Sequence, residues 1–227
     1  PYPNPLPRFK TDAIMARMPS RRPALAVSVV MPCLNEARTV AKCVREARGA
    51  LRAARVRGEV VIADNGSTDG SRSLARRAGA RVVPVRRRGY GAALQGGIAA
   101  ARGGWVLMAD CDRSYDLAGL PAFVRAMRRG ADLAQGTRLK GTILPGAMPW
   151  THRRLGTPFF NLMLFLCFGA RVSDSQCGMR MFTKGAYRSL RMRSTGMEFA
   201  SEMRAKAVRA RLRVVEVPIR YRPDERG

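Results

Sequence analysis

The chain has 227 residues, enough for one large domain with a substantial core, and its 46% hydrophobic content excludes wholesale disorder. Its net charge of +26, carried overwhelmingly by arginine, points to polyanions: nucleic acid, nucleotide phosphates or an anionic membrane surface. One histidine, His152, excludes a Ser-His-Asp triad or a multi-histidine metal site, and five scattered cysteines without Cys-x-x-Cys spacing fit a reducing cytosol rather than a disulfide or zinc framework.

Residues 1–24 are rich in proline and arginine and lack an apolar central block, so they read as a flexible leader and not as a signal peptide. The remainder, 25–227, reads as one domain. Strand-like apolar runs fall at 27–31, 59–63, 80–85, 105–109, 131–134 and 214–219, and helical segments at 37–55, 71–78, 91–101 and 117–129. Such alternation predicts an α/β fold, a parallel or mixed sheet covered by helices on both faces. The apolar stretch 155–170 is too short to span a bilayer. It is either a buried core helix or a helix lying in a membrane interface beside Arg153 and Arg154.

Three polar motifs each follow an apolar strand: Pro32-Cys33-Leu34-Asn35-Glu36, Asp64-Asn65-Gly66-Ser67-Thr68-Asp69-Gly70 and Asp110-Cys111-Asp112. If the strands are parallel, all three emerge at the carboxyl edge of the sheet, where open α/β sheets bind ligands. On extended chain Asp110 and Asp112 point the same way, and two converging carboxylates call for a hard divalent cation between them. Asp64 is placed to accept hydrogen bonds from a base, while Asp69 reads as a helix cap. Arg86-Arg87-Arg88-Gly89-Tyr90-Gly91 sets cations beside a glycine turn that opens a helix, whose amino end favours anions.

Further on, Gly136-Thr137-Arg138 follows a short strand, and Arg153 and Arg154 precede the apolar stretch. Guanidinium groups grip phosphate oxygens in a fork, so these arginines are candidates for a second phosphate away from the metal. A loop with Ser173, Asp174 and Ser175 comes next, and the segment 196–203 reads as a helix start.

Taken in order, VSVVMPCLNE, VVIADNGSTDGS, RRRGYGAALQGGI, WVLMADCD, GTRLKG and DSQCGMRMF resemble a family 2 glycosyltransferase of GT-A fold. Within that family the chain is similar to polyprenyl-phosphate sugar synthases of the dolichol-phosphate mannose or glucose type, over roughly 26–222. The resemblance implies that Pro32, Asn35, Glu36, Asp64 and Gly91 line a nucleotide-sugar site, and that Asp110 and Asp112 bind Mg²⁺ or Mn²⁺ on the donor diphosphate. It also implies that Arg138, Arg153 and Arg154 face the acceptor phosphate, with Ser175 in the acceptor loop. Asp112, Arg138 and Arg154 would be the catalytic set.

The activity so implied is an inverting, metal-dependent transfer of glucose or mannose from a UDP- or GDP-sugar to polyprenyl phosphate, by a cytoplasmic enzyme peripheral on the inner membrane face. A lipid phosphate is already an anion, so no strong base is required. The alternative is a soluble or polysaccharide acceptor. A nucleotidyltransferase would carry a glycine-rich loop where Pro32–Glu36 stands, and a nucleic-acid binder would not place carboxylates at three strand ends. Three departures stand out. Ser114 replaces a glutamine that ligates metal in some relatives, Arg113 follows the acidic pair, and the Ser-Lys segment expected after Arg222 is missing, which reads as truncation at the carboxyl end.

Overall fold

A computed structural model describes residues 26–169 and 172–225; the expected leader lies outside them. The apolar runs become β1 (Val27–Cys33), β2 (Gly58–Asp64), β3 (Arg81–Pro84), β4 (Trp105–Met108), β5 (Leu133–Ile143) and β7 (Val214–Tyr221), joined by β6 (Arg180–Thr183). They form one sheet in the order β3-β2-β1-β4-β6-β5-β7, with β6 antiparallel to both neighbours and every other pair parallel. The helices are α1 (Val40–Ala53), α2 (Ser71–Arg77), α3 (Tyr90–Ala100), α4 (Leu120–Arg128), α5 (Thr157–Phe168), α6 (Lys184–Leu190) and α7 (Phe199–Arg209).

The central strands are apolar throughout because both faces are covered. Val29, Met31, Ile62 and Leu107 pack against Val44 and Leu51 of α1 and Phe123 of α4. Their neighbours Val30, Val61, Val106 and Met108 point the other way, onto Leu94 and Ile98 of α3 and Phe199 and Met203 of α7.

Three elements depart from the sequence reading. β5 runs on to Ile143 instead of ending at 134, because its pairing with β7 continues through Thr137 and resumes at Thr142. Gly136-Thr137-Arg138 therefore lies inside a strand. β6 and α6 were not expected: Arg180 opens β6, a charged residue that conceals the strand, yet its side chain is wholly buried. α5 is not a core helix. Phe159, Leu162 and Leu166 are 59, 53 and 67% exposed, and among its described apolar side chains only Leu164 is buried. No helix among the described residues is long and apolar enough to cross a membrane.

Candidate active site

β1 lies between β2 and β4, in register Cys33 to Asp64 and Val30 to Met108, so the three polar motifs sit side by side at the carboxyl edge. They enclose a cavity of about 390 Å³ whose walls include Pro32, Glu36, Asn65, Arg88, Tyr90 and Asp110.

The floor is a set of short loops tied together by side chains. Asn35 adopts a φ of 57°, donates its backbone N–H to Ser67 Oγ (3.0 Å) and accepts the Thr68 N–H at 2.9 Å. Glu36 donates its N–H to Ser71 Oγ (2.8 Å). Asp69 accepts the N–H groups of Ala37 (2.9 Å) and Ser71 (3.0 Å) and so ties the two loops together, while the N-cap position of α2 falls to Gly70 and not to Asp69. Asn65 fixes the next loop, giving its amide to the carbonyls of Val85 and Arg87 and accepting the Gly89 N–H at 2.9 Å. Asp64 is buried and turned inward: Gly66 and Ser67 donate N–H groups to it, and Arg72 Nε lies at 2.7 Å. Burial alone would raise its carboxyl, but the bonds from Ser67, Arg72 and Gly66 outweigh burial and hold it below the ordinary value.

The amino end of α3 is covered by protein. Ala92 donates its N–H to Thr195 O (3.0 Å), and a Cβ on Gly89 or Gly91 would lie 2.2 Å from Thr195 O or 2.6 Å from Ser194 O. The segment 194–196 thus occupies the place expected of an anion. Of the arginine run, Arg88 lines the cleft, anchored by its bond to Asn65 O (2.7 Å).

Asp110 and Asp112 lie in a turn beyond the end of β4, not on extended chain, and Arg113 closes that turn with a φ of 68°. Tyr90 donates its hydroxyl to Asp110 Oδ1 at 2.7 Å, and burial followed by the Asp110 charge raises the phenol well above its ordinary value. Asp112 Oδ1 accepts both the N–H (2.9 Å) and the hydroxyl (2.6 Å) of Ser114, so the residue standing in place of glutamine orients the carboxylate. Arg113 points away from the cleft to Glu225 Oε1 (2.6 Å) and Glu46 Oε2 (3.8 Å). Asp110, which lines the cleft, and the buried Asp112 two residues on are hard oxygen donors of the kind that Mg²⁺ or Mn²⁺ prefers. Among the described residues no group of three His, Cys, Asp or Glu side chains is arranged around one ion, so the remaining ligands would be water and substrate phosphate.

A second cavity, of about 230 Å³, has Arg138, His152, Gln176 and Tyr221 among its walls, with Thr157 and Phe160 from the first turns of α5. Arg138 is clamped by the buried Asp174, Nε to Oδ2 at 2.7 Å and Nη2 to Oδ1 at 2.8 Å, and lies 5.1 Å from the Tyr221 ring. Burial would lower the guanidinium, yet the Asp174 bonds hold it above its ordinary value. Tyr115, just past the acidic turn, links that turn to the Tyr221 wall of the second cavity through a β-bridge. Tyr115 accepts the Gly178 N–H at 2.7 Å, its ring lies 5.3 Å from Tyr221, and the Asp112 charge adds to burial in raising both Tyr90 and Tyr221.

The structure therefore brings Pro32, Glu36 and Asp110 to the first cavity and Arg138 to the second. Asp64, Gly91, Asp112, Ser175, Arg153 and Arg154 line neither. Asn35 lies beside the first, and Ser175 is buried, its N–H bound to Asn161 Oδ1 of α5 at 3.0 Å. Arg153 and Arg154 stand exposed on a π-helical turn that leads into α5. Sequence reasoning missed Asn65, Tyr90, Asp174, His152, Gln176 and Arg180. Arg180 gives its guanidinium to the carbonyls of Ser175, Cys177 and Ala200, and no spacing rule signals such a role.

A mostly parallel sheet with an acidic turn at its carboxyl edge, beside a cavity of nucleotide size, defines the GT-A class of sugar-nucleotide transferase folds. The chain belongs to glycosyl transferase family 2, whose model matches residues 28–191. It is 42% identical over 203 residues to the low-salt glycan biosynthesis hexosyltransferase Agl6 of Haloferax volcanii, covering 89% of this chain and 49% of that one. It is 33% identical over 168 residues to a dolichyl-phosphate hexose transferase of the same organism, covering 73% and 71%. The chain thus spans about half the length of Agl6, and 36% of the glycosyltransferase AglD. Glucosyl-3-phosphoglycerate synthase from Mycobacterium tuberculosis, solved with Mn²⁺, UDP and glucosyl-3-phosphoglycerate, superposes with a TM-score of 0.71 at 21% identity, covering 89% of this chain and 73% of that one.

Proposed function

We propose that the chain is a hexosyltransferase that moves glucose or mannose from a UDP- or GDP-sugar to polyprenyl phosphate at the cytoplasmic face of a membrane. The observation that carries this reading is the second cavity, which has the buried Arg138 guanidinium in its wall and the first turns of the exposed apolar helix α5 at its side. An acceptor with a phosphate head and an apolar tail matches that division. The dolichyl-phosphate hexose transferase relative supports it.

The donor nucleotide lies in the first cavity, against Pro32, Asn35, Glu36 and Asn65, with Arg88 toward its diphosphate. Asp64 and Gly91 act one layer behind, by holding the loops that line it. Asp110 and Asp112 would hold Mg²⁺ or Mn²⁺, which when bound would supply positive charge to the departing diphosphate. Ser114 keeps Asp112 in position for this task, and Tyr90 does the same for Asp110. Asp174 holds Nε and Nη2 of Arg138 and so fixes the guanidinium in the wall of the cavity that receives the acceptor phosphate, with His152 and Gln176 beside it. Ser175 shapes that loop. Neutralising the second anion lets it approach the first, and an acceptor phosphate attacking the anomeric carbon from the side opposite the diphosphate inverts it. Arg153 and Arg154 reach anionic headgroups beside α5, along with the surplus positive charge of the chain.

Incubation with labelled UDP- and GDP-hexoses, polyprenyl phosphate and Mg²⁺ or Mn²⁺ tests this. Butanol-extractable label that disappears with a chelator and in Asp112→Asn is the expected result. Label passing only to soluble acceptors overturns the lipid assignment.

A further inference from the structure

α5 turns very little of its surface toward the rest of the protein. Of its described side chains only Thr157, Asn161 and Leu164 are not exposed, a single stripe at helical spacing. The middle member is an amide among apolar side chains, and asparagine is a weak helix former, so neither packing nor propensity accounts for it. Its side chain grips one loop twice: Nδ2 donates to Ser173 O at 2.7 Å, and Oδ1 accepts the Ser175 N–H at 3.0 Å. That loop is anchored independently of α5. Glu216 Oε1 accepts the Ser173 N–H (2.6 Å), Gln135 Nε2 donates to Asp174 O (2.5 Å), and the buried Arg180 donates to Ser175 O (2.9 Å). Between the two residues that Asn161 holds stands Asp174, whose carboxylate clamps Arg138. The loop is therefore a fixed point beside the Arg138 guanidinium, and Asn161 ties the apolar helix to it.

We propose that Asn161 is a positioning residue that holds α5 in register with Arg138, and so gives the enzyme its preference for acceptor phosphates that carry a long apolar tail. In the lipid-acceptor reading, on which this rests, Arg138 receives the phosphate. The second cavity brings Arg138 together with Thr157 and Phe160 of α5, and Asn161 lies one turn beyond Thr157 on the same face. The 12 residues of α5 extend about 18 Å, with Phe159, Leu162 and Leu166 exposed along the way. A phosphate in the cavity thus starts its tail beside Phe160 and continues it on an apolar surface. Head and tail are covalently linked, and linked groups reinforce each other only where both sites can be engaged at once. The spacing between helix and guanidinium therefore decides what the tail adds. Without the two bonds of Asn161, Arg138 stays clamped by Asp174 while α5 shifts against it, so the head still binds and the tail contributes less.

The test compares KM values for a long-chain polyprenyl phosphate in detergent micelles, for the soluble geranyl phosphate and for the nucleotide-sugar donor. It uses the wild type, Asn161→Leu and Asn161→Ala. Leucine keeps the side-chain volume, and alanine leaves room for water at Ser173 O and the Ser175 N–H, so the readout does not depend on one variant folding. In the wild type the KM for the polyprenyl phosphate should lie roughly tenfold or more below that for geranyl phosphate. Both variants should raise the former about fivefold, and hold kcat and the geranyl and donor KM values within about twofold. Mere loss of folded protein would lower the apparent kcat and leave all three KM values alone. Hydrogen exchange should quicken at Ser175 and along α5 but not at the Arg138 N–H, which Asp174 still accepts. Equal rises for both phosphates, no rise for either, a wild type that does not distinguish them, or unchanged exchange along α5 overturns the proposal. A wild type that labels neither phosphate contradicts the lipid-acceptor reading and the tail preference together, while hydrogen exchange still decides whether Asn161 fixes α5.

Discussion

Asp174 and Arg138 hold each other in a buried, forked pair at the base of the second cavity, and each is costly without the other. Asp174→Ala leaves the guanidinium buried beside Tyr221 and should destabilise the chain by about 3–5 kcal/mol, measured by urea unfolding. Glu202 has a different role. Burial would raise its carboxyl, but Lys206 and the N–H groups of Ser194 and Arg193 bring it from 4.5 down to about 2. A carboxyl depressed on folding adds stability above its unfolded value, and that share is lost as pH falls through the folded one. Glu202→Gln should therefore destabilise the chain by a constant amount above about pH 5, the gap to the wild type closing as pH falls toward 2. Equal gaps at pH 6 and pH 2.5 would contradict it. The segment Glu202 secures is the one that covers the amino end of α3, so the same substitution loosens the cover over Gly89 and Gly91.

Among the elements, β1, β2 and β4 and the three motifs at their ends were legible because period and position both point one way: buried parallel strands are apolar, and their ligands sit at the carboxyl edge. Arg180 hid β6, since a charged residue in a short run argues against a central strand until the three carbonyls that receive it are known. Arg113 was unexplained in the sequence because its partners, Glu46 and Glu225, lie 67 and 112 positions away. The composition of α5 left two readings open; its exposure closes one of them. Replacing Phe159, Leu162 and Leu166 together by serine should change unfolding free energy by no more than about 0.5 kcal/mol per site, as for surface positions, while reducing binding to anionic vesicles severalfold in sedimentation. Loss of folding in that variant would mean the face packs against protein.

At the scale of the molecule, the carboxyl-terminal strand braces the acidic turn from behind. Arg222 donates its N–H to Ser114 O and Glu225 its N–H to Asp112 O, while Glu46, Asp116, Arg113 and Arg222 form a linked set of ion pairs. These pairs hold the backbone of the acidic turn in place, so Arg113→Ala should act on metal affinity, read as a raised Mn²⁺ requirement. The two cavities share no lining residue, so each can be perturbed alone. The most direct measurement is a pair of KM values for hexosyl transfer, donor against polyprenyl phosphate, in Gln176→Ala and Arg88→Ala. Gln176→Ala should raise the KM for polyprenyl phosphate severalfold and leave that for the donor unchanged, and Arg88→Ala the reverse. Both KM values rising together in both variants, or neither moving, would contradict two separate sites for donor and acceptor.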